Sequence, residues 1–286
     1  MIIVRIKGGL GNQLFTYAFG YAIARKKKCD LILDKSLYFK GYFRPCEIDN
    51  FELEFNKSLI PRFFKHPNIV CKLLFKAYYK ALRLVCLDRI TYREKQNYVF
   101  DKNIYKTSQK VLFDGYWQNY RYFHDYREEI RDQFKRSLPN SKQIKLIQKQ
   151  IVGQNAVALH IRRGDYKAYK GGKCLALDYY FDGIKYIKDK IEAPRFYVFS
   201  DDVAFCKEHF NSEEFIYVGE KYDLTDIEEF SVMSSFNNFI IANSSYSWWA
   251  AYLGECKDSV IMAPVVDQWK QDFYPETWKT IDTNLE

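Results

Sequence analysis

The chain has 286 residues, 48% of them hydrophobic and 28% charged, with a formal net charge of +8. This composition excludes an intrinsically disordered protein, and the length suits one large domain or two ordinary ones. No stretch approaches the roughly 20 apolar residues that span a bilayer, and the opening residues, with Arg5 and Lys7, lack the pattern of a signal peptide. The seven scattered cysteines include no C-x-x-C pair and favour reduced thiols. We therefore expect a cytoplasmic protein.

The pattern of apolar runs predicts two α/β domains. A strand over residues 2–6, a helix over 14–28 and a strand over 30–34 open the chain as a β-turn-α-β unit. After a turn-rich break near residue 140, a second series contains five more strands, predicted over residues 156–161, 196–200, 215–218, 238–242 and 259–264. We place the domains at residues 1–150 and 151–286, and expect a ligand beyond the carboxyl ends of the strands.

A glycine-rich turn, GGLGNQLFTY, follows the first predicted strand. As a dinucleotide-binding loop, Gly9 and Gly11 fit the first two glycines of G-x-G-x-x-G, and Asp34 ends the next strand where a ribose-binding acid would lie. Leu14 at the third glycine position argues against this interpretation. Two others remain open: the turn's amides and Asn12 face a phosphate, or the turn is tight and Asn12 caps the helix.

The segment HIRRGDY places two adjacent arginines at the end of an apolar strand. One arginine there commonly pairs with a nearby acid, and Asp165 is available, but two guanidinium groups with His160 exceed what one carboxylate requires. Side chains alternate along a strand, so His160 and Arg162 share a face while Arg163 points elsewhere. We expect Arg162 to bind phosphate as a planar fork, with Arg163 held by Asp165 or reaching a second phosphate oxygen.

Two further polar segments follow predicted strands. Asp201 and Asp202 are adjacent, and we expect capping or ribose-binding acids rather than a metal site, because the sequence contains no D-x-D and adjacent side chains point apart. In IIANSSYSWWAAYLG, the hydroxyls of Ser244, Ser245 and Ser247 gather at a helix start, which suits a phosphate, although ordinary N-capping needs only one of them. Together these segments suit a diphosphate whose charge is neutralised by protein alone.

A basic helical pattern lies in the first predicted domain. Lys72, Lys76, Lys80 and Arg83 recur at helical spacing within KLLFKAYYKALRLVCL, with apolar residues between them. One interpretation is a core-packed helix with a solvated basic face, and the other is a helix that rests on anionic lipid. No nucleic-acid-binding motif accompanies the charge, so we expect no nucleic-acid partner.

Five segments resemble, in order and spacing, the bacterial α-1,2-fucosyltransferases. They are GGLGNQLFTYAFGYAIA, GYWQNYRYF, HIRRGDY, FSDD and IIANSSYSWWAAYL, and the likeness covers nearly the whole chain. The resemblance implies a GT-B fold, with two Rossmann-like domains facing a central cleft. It also implies GDP-fucose as the donor, inversion at the anomeric carbon and no required metal or other cofactor. The implied acceptor is a galactose-containing oligosaccharide or lipid-linked glycan.

The resemblance also implies roles for the domains and for individual residues. The first domain is the acceptor side, and the second binds GDP-fucose. Arg162 contacts the β-phosphate, with His160 and Arg163 beside it. Further donor-binding positions are Gly9, Gly11, Asn12, Asp165, Asp201, Ser244, Ser245 and Ser247. Glu229 stands where related enzymes often have an aspartate that reads guanine, and its longer carboxylate can also accept hydrogen bonds from guanine N1 and N2. Synthesis of O-antigen-like surface glycans would bring the enzyme to the inner membrane face.

Two other functions compete with sugar transfer. A nicotinamide-dependent oxidoreductase of Rossmann type would use Gly9, Gly11 and Asp34 but leaves HIRRGDY without a role. A non-catalytic basic module that binds membranes would use the basic helix and leave the strand-end segments without one. The sequence does not identify a general base for the transfer; Asp34, Glu47 and Asp49 are candidates in the first domain.

Overall fold

The computed structural model describes residues 1–39, 44–55, 57–58, 69–87, 90–152, 155–168, 173–266 and 269–286. The chain divides into two compact units, Met1–Ser137 and Leu138–Glu286. Each unit contains a parallel β-sheet with helices, so the predicted α/β class with two halves is confirmed. The division precedes the boundary expected at residue 150, because the helix Lys142–Ile151 packs against another helix of the second unit.

The first unit is built on a five-stranded parallel sheet of order β3-β2-β1-β5-β4. Its strands are β1 (Ile2–Arg5), β2 (Leu31–Asp34), β3 (Lys57–Ser58), β4 (Thr91–Arg93) and β5 (Val111–Asp114). Its helices are α1 (Leu10–Lys26), α2 (Ser36–Phe39), α3 (Ile69–Leu82), which continues as a π-helical turn over Arg83–Leu87, and α4 (Arg127–Ser137). The predicted opening β-turn-α-β unit is confirmed, with its helix beginning at Leu10 instead of residue 14.

The second unit is built on a six-stranded parallel sheet of order β11-β10-β9-β6-β7-β8. Its strands are β6 (Ala156–Ile161), β7 (Arg195–Ser200), β8 (Phe215–Tyr217), β9 (Asn238–Ile240), β10 (Ile261–Val265) and β11 (Lys279–Asp282). Its helices are α5 (Lys142–Ile151), α6 (Leu177–Lys190), α7 (Val203–His209), α8 (Val218–Lys221), α9 (Asp226–Met233) and α10 (Ser245–Gly254). All five predicted strands are present, and β11 is an addition that the sequence did not indicate.

The central strands explain how the site residues are positioned. All six residues of β6 are buried, as expected for a parallel strand covered on both faces, and β9 and β7 flank it. Since the strands are parallel, the loops after β6, β7 and β9 leave the sheet at the same edge. The segments HIRRGDY, FSDD and ANSSYS occupy these three loops.

Gly8 has a backbone conformation that the first turn requires. Its φ is +82°, and a Cβ there would lie 2.5 Å from Asn12 Nδ2 and 2.7 Å from Asn12 Cβ. We expect Gly8→Ala to lower the free energy of unfolding by about 2 kcal/mol, because the left-handed conformation is unfavourable for alanine and the methyl group displaces Asn12. Urea denaturation measures the change. Gly9→Ala is the matched control, since a Cβ at Gly9 meets nothing within 4 Å; an equal loss in both variants would contradict the argument.

Candidate functional site

Arg162 follows the last residue of β6 and is held by two carboxylates. Its Nη2 and Nε lie 2.8 and 3.0 Å from Asp165 Oδ1, and its Nη1 lies 2.9 Å from Asp201 Oδ2. The guanidinium remains partly exposed, with 28% of the side chain accessible. Two fixed acids on different sides orient the planar group before any ligand arrives, which limits the conformational entropy lost on binding.

Arg163 points to the other side of the strand end, as alternation predicts, but its partner differs from the one expected. Asp165 pairs with Arg162, whereas Arg163 Nε lies 3.4 Å from Asp202 Oδ2. The Arg163 guanidinium also lies 3.5 Å from the centroid of the Phe205 ring. The difference arises because the chain turns into a 3-10 helix at Asp165, which brings the i+3 carboxylate back to Arg162. Arg163 is therefore bound to α7 and its N-cap.

The adjacent acids Asp201 and Asp202 point apart, as expected. Asp201 Oδ1 accepts hydrogen bonds from the backbone N–H groups of Arg163 (2.8 Å) and Gly164 (3.0 Å), which holds the loop after β6 in place. Asp202 is the N-cap of α7 and binds Lys167, whose hydrogen bond lowers the pKa of the Asp202 carboxyl. Within the described ranges, no group of three or more His, Cys, Asp or Glu side chains is placed to hold a metal ion.

His160 lies near the end of β6 and adds no positive charge to the site. Only 6% of it is exposed. Burial lowers the pKa of His160 to about 3, and the nearby charge of Arg162 acts in the same direction. The imidazole is therefore neutral at physiological pH, and its buried Nδ1 has no hydrogen-bond partner within the described ranges. The sequence placed His160 beside the arginines correctly but gave no sign that burial keeps it uncharged.

The three serines of the β9–α10 turn have different positions. Ser244 is the N-cap of α10, and its Oγ accepts a hydrogen bond from Tyr246 N at 3.4 Å. Ser247 is fully buried, and its Oγ lies 3.3 Å from the carbonyl oxygen of Ser244, so it does not join the expected phosphate cradle. It is the third residue of the helix after the cap, and this position turns it towards the core. Ser245 is half-buried at the first position of α10.

Asn243 connects the turn between β9 and α10 (the serine turn) to the loop after β6 that contains Arg162 and Arg163 (the arginine loop). The sequence did not indicate this connection. The hydroxyl of Tyr166 donates to the carbonyl oxygen of Asn243 at 3.2 Å, and Asn243 Nδ2 donates to the carbonyl of Lys173 at 3.0 Å. The buried Asn243 Oδ1 has no hydrogen-bond partner within the described ranges. The signal for this residue was its position between an apolar strand and a capping serine.

Glu229 lies in the same electrostatic environment as Arg162. It belongs to α9, whose N-cap Thr225 forms a capping box with Glu228. Burial raises the pKa of Glu229 to about 7; the negative charges of Asp226 and Asp201 also raise it, and Arg162 opposes them. The structure thus brings the predicted base-reading residue into the neighbourhood of the arginine loop, although they are far apart in the sequence.

The first unit contains the other predicted donor-binding positions. Gly9 is the N-cap of α1, and Gly11 and Asn12 lie in its first turn. Asn12 is therefore not the helix cap; its Oδ1 accepts a hydrogen bond from Gln118 Nε2 at 2.8 Å. The helix begins without a side-chain cap and without an acidic residue in its first turn. The first turn of α1 therefore contributes no carboxylate that would offset the helix dipole.

Asp34 is fully buried and committed to structural contacts. It lies 3.1 Å from Arg5 Nε, accepts a hydrogen bond from the Tyr79 hydroxyl at 2.6 Å and accepts another from Ser36 N at 3.1 Å. These contacts explain why it serves neither as a ribose-binding acid nor as an accessible general base. Asp49 forms an ion pair with Lys35, and no general base is identified.

The site thus consists of an arginine at the end of a central parallel strand, oriented by two carboxylates, in an α/β unit. Comparison with known proteins identifies the family of this chain. The model of the glycosyl transferase family 11 matches residues 1–282. The chain belongs to this family and is a glycosyltransferase. This family assignment replaces the oxidoreductase alternative. The buried position of Asp34, the ribose-binding acid of that alternative, agrees with it.

Several relatives have similar sequences over most of this chain. An alpha-1,2-colitosyltransferase of Escherichia coli is 32% identical, covering 99% of this chain and 99% of its own length. The O-antigen biosynthesis glycosyltransferase WbnK of Escherichia coli is 30% identical and covers 91% and 92%. The galactoside alpha-(1,2)-fucosyltransferase 2 of Gorilla gorilla gorilla is 23% identical and covers 86% and 67%. Sequence similarity thus extends beyond bacteria.

Two solved structures share the fold at low sequence identity. The ADP-heptose LPS heptosyltransferase II of E. coli has a TM-score of 0.50 and 12% identity, covering 98% of this chain and 89% of its own. A variant of Arabidopsis thaliana FUT1 in complex with GDP has a TM-score of 0.50 and 12% identity, covering 91% and 69%. These likenesses concern the fold alone, and with the two parallel sheets they confirm the predicted GT-B type.

Proposed function

We propose that this glycosyltransferase moves L-fucose from GDP-β-L-fucose to the 2-hydroxyl of a galactoside acceptor, with inversion, in the synthesis of a surface glycan of O-antigen type. The observation that carries the proposal is the orientation of Arg162 by Asp165 and Asp201, with Glu229 in the same environment. The alpha-1,2 linkage in the names of two relatives and the O-antigen role of a third support the linkage and the product.

In the proposed reaction, the second unit binds the donor and the first unit takes the acceptor. The bond between fucose C1 and the β-phosphate oxygen breaks, and the electron pair leaves with GDP. Negative charge grows on the β-phosphate as the sugar becomes oxocarbenium-like, so the donors of Arg162 bind more strongly in the transition state than in the ground state. The acceptor oxygen attacks C1 from the face opposite the departing GDP, which inverts the configuration from β to α, and its proton passes to the surrounding water.

The remaining polar groups of the second unit receive supporting roles in this proposal. Asp201 positions both Arg162 and the backbone of the arginine loop. Arg163 braces that loop against α7 through Asp202. Ser245 and the N–H groups at the start of α10 contribute to phosphate binding, and Glu229 accepts hydrogen bonds from the guanine edge.

The proposed function is tested by a donor and acceptor screen followed by linkage analysis. The purified protein is incubated with GDP-fucose, UDP-galactose or ADP-heptose and a panel of galactose-ended acceptors, and the product is analysed by NMR. Transfer of fucose in α-1,2 linkage is the expected result. Because one relative is a colitosyltransferase, the GDP derivative of colitose belongs in the panel. Faster transfer from the colitose derivative than from GDP-fucose would make colitose the transferred sugar. Transfer only from a donor without guanine would overturn the proposal.

Metal independence is expected of this transfer. Arg162 and the start of α10 are proposed to neutralise the diphosphate, which is the role of a divalent cation in other sugar transferases. Addition of EDTA is therefore expected to leave the transfer rate within about twofold of its starting value. Re-addition of magnesium or manganese serves as the control. An absolute requirement for either ion would contradict the prediction and would direct attention to Asp201 and Asp226.

A further inference from the structure

Helix α3 has an apolar face that the core does not cover. Its opposite side is buried: Phe75 and Tyr79 are 0% and 3% exposed and pack in a cluster with Ile3 and Leu112. The outer side, which we call the α3 apolar face, consists of large side chains that expose between 38% and 65% of their surface, namely Val70, Leu73, Leu74, Tyr78 and Leu84. Among the large apolar side chains described as exposed, half belong to this one short segment.

The orientation of the helix is fixed by contacts on its buried side. Phe75 stacks on Tyr79 with ring centroids 5.6 Å apart, and it also packs against Phe39 at 4.4 Å. The Tyr79 hydroxyl donates to the buried carboxylate of Asp34 at 2.6 Å and accepts from Arg5 Nη2 at 3.1 Å. Rotating α3 to bury its outer leucines would break this network. The apolar face is therefore a constant feature of the first unit.

Cations border the α3 apolar face. Lys76, Lys80 and Arg83 are exposed and recur at i, i+4 and i+7, so they form one stripe beside the leucines. The side chain of Lys72, the fourth member of the predicted stripe, lies outside the described residues. The sequence from residue 69 to residue 87 contains no aspartate or glutamate. The outward side thus combines aliphatic groups with positive charge, and the helix itself contributes no acidic side chain.

We propose that the α3 apolar face docks this protein on the surface of an anionic lipid bilayer. A headgroup layer offers negative charge to the lysines and an apolar boundary to the leucines at the same time, which is how interfacial helices bind. A nucleic-acid backbone would match only the cations. A second copy of this chain, paired through the same face, would bring the two basic stripes together. No helix in the described ranges is long and apolar enough to cross a membrane. The docking is peripheral.

The test measures binding to lipid vesicles, so its outcome does not depend on the proposed sugar transfer. Wild-type protein is expected to co-sediment with vesicles of phosphatidylglycerol and phosphatidylcholine in equal parts, and not with pure phosphatidylcholine. Replacing Lys76, Lys80 and Arg83 together with Gln is expected to lower the partition coefficient about 100-fold at low salt, since each cation near an anionic surface contributes roughly a factor of five. The Leu73→Gln, Leu74→Gln double variant is expected to lower it at least about 10-fold.

Helix α5 of the second unit offers matched controls. Lys142, Lys145 and Lys149 are exposed, and replacing all three with Gln changes the net charge by the same amount. Leu146 and the C-cap residue Val152 expose 61% and 79% of their surface, so the Leu146→Gln, Val152→Gln double variant matches the leucine pair. Neither control is expected to reduce vesicle binding more than about twofold. The general effect of net charge applies to the lysine variant alone. Thermal unfolding verifies that every variant is folded, which is expected because all the replaced side chains are exposed.

Three results would overturn the proposal. Wild-type protein that ignores anionic vesicles at low salt would leave the basic stripe as a solvated face. Equal losses in the α3 and α5 charge variants would show attraction by net charge rather than by this face. Sedimentation equilibrium that shows a dimer, dissociated by the leucine double variant, would assign the α3 apolar face to contact between copies of the chain.

Discussion

Arg162→Lys is expected to lower the rate of transfer about 100- to 1,000-fold while leaving the protein folded. Lysine keeps one positive charge but lacks the planar group that Asp165 and Asp201 orient from two sides. The lost hydrogen bonds are those that strengthen as charge develops on the β-phosphate, so kcat falls more than the affinity for GDP. Steady-state kinetics with GDP-fucose and a saturating acceptor measure the two effects separately.

A matched substitution distinguishes this role from a general need for arginine. Arg195 is exposed at the amino end of β7, the strand next to β6, so Arg195→Lys makes the same change at the opposite edge of the same sheet. It is expected to keep nearly full activity. Arg163→Lys is expected to fall between the two, because Arg163 pairs with Asp202 and Phe205. Near-wild-type turnover in Arg162→Lys would remove Arg162 from the role at the leaving group.

Glu229→Gln is expected to weaken GDP binding by about 1–3 kcal/mol, which corresponds to about 5- to 150-fold in Kd. A carboxylate can accept from both N1 and N2 of guanine, whereas an amide places one donor against a donor. Titration calorimetry measures the change. Glu228→Gln is the matched control, because Glu228 is the neighbouring acid and glutamine preserves the capping box at the start of α9. Unchanged affinity in Glu229→Gln would mean that guanine is read elsewhere.

The raised pKa of Glu229 predicts that the affinity for GDP depends on pH. Burial raises the pKa of Glu229 to about 7, so much of it is protonated at pH 6 and ionised at pH 8. Because the ionised form is proposed to bind guanine, GDP affinity is expected to rise with pH through 7. The phosphates of GDP titrate as well, and Glu229→Gln corrects for them because only the wild type contains the additional step. Affinity that falls with pH in the wild type alone would place Glu229 beside the phosphates instead.

The stability of the ligand-free protein is expected to fall with rising pH, whereas the affinity for GDP is expected to rise. A carboxyl whose pKa rises from 4.5 to about 7 on folding binds more protons in the folded state between these values, so stability falls as pH rises through this range. The loss is absent below about pH 4.5 and complete above pH 7. Glu229→Gln removes it and is expected to be more stable than the wild type by about 1–2 kcal/mol at pH 8, a figure reduced because Glu229 is only half-buried. Thermal unfolding at pH 5 and pH 8 measures the difference.

Much of the fold could be predicted from the sequence, because the apolar periodicity of a strand or helix involves only residues close in sequence. The fully buried strand β6 and the two-residue alternation that separates Arg162 from Arg163 depend only on residues close in sequence. The short strands β4 and β5 carry weaker patterns and become visible only through their place in the sheet. Strand β5 pairs with β1, a contact across about a hundred residues, and β4 pairs with β5 at the edge of the sheet. The start of α1 was placed too late, because Leu10 to Gln13 contain the glycine and asparagine that usually indicate a turn.

The sequence by itself determined the α/β class, the strand-end positions of the arginine and serine segments, and the separation of Asp201 from Asp202, since each follows from local order along a strand. Only the tertiary structure decided that Asp201 joins Asp165 at Arg162, because Asp201 reaches it from the end of a neighbouring strand. It also decided that His160 is neutral and that Asp34 is engaged with Arg5, since burial and long-range ion pairs depend on how separate segments pack.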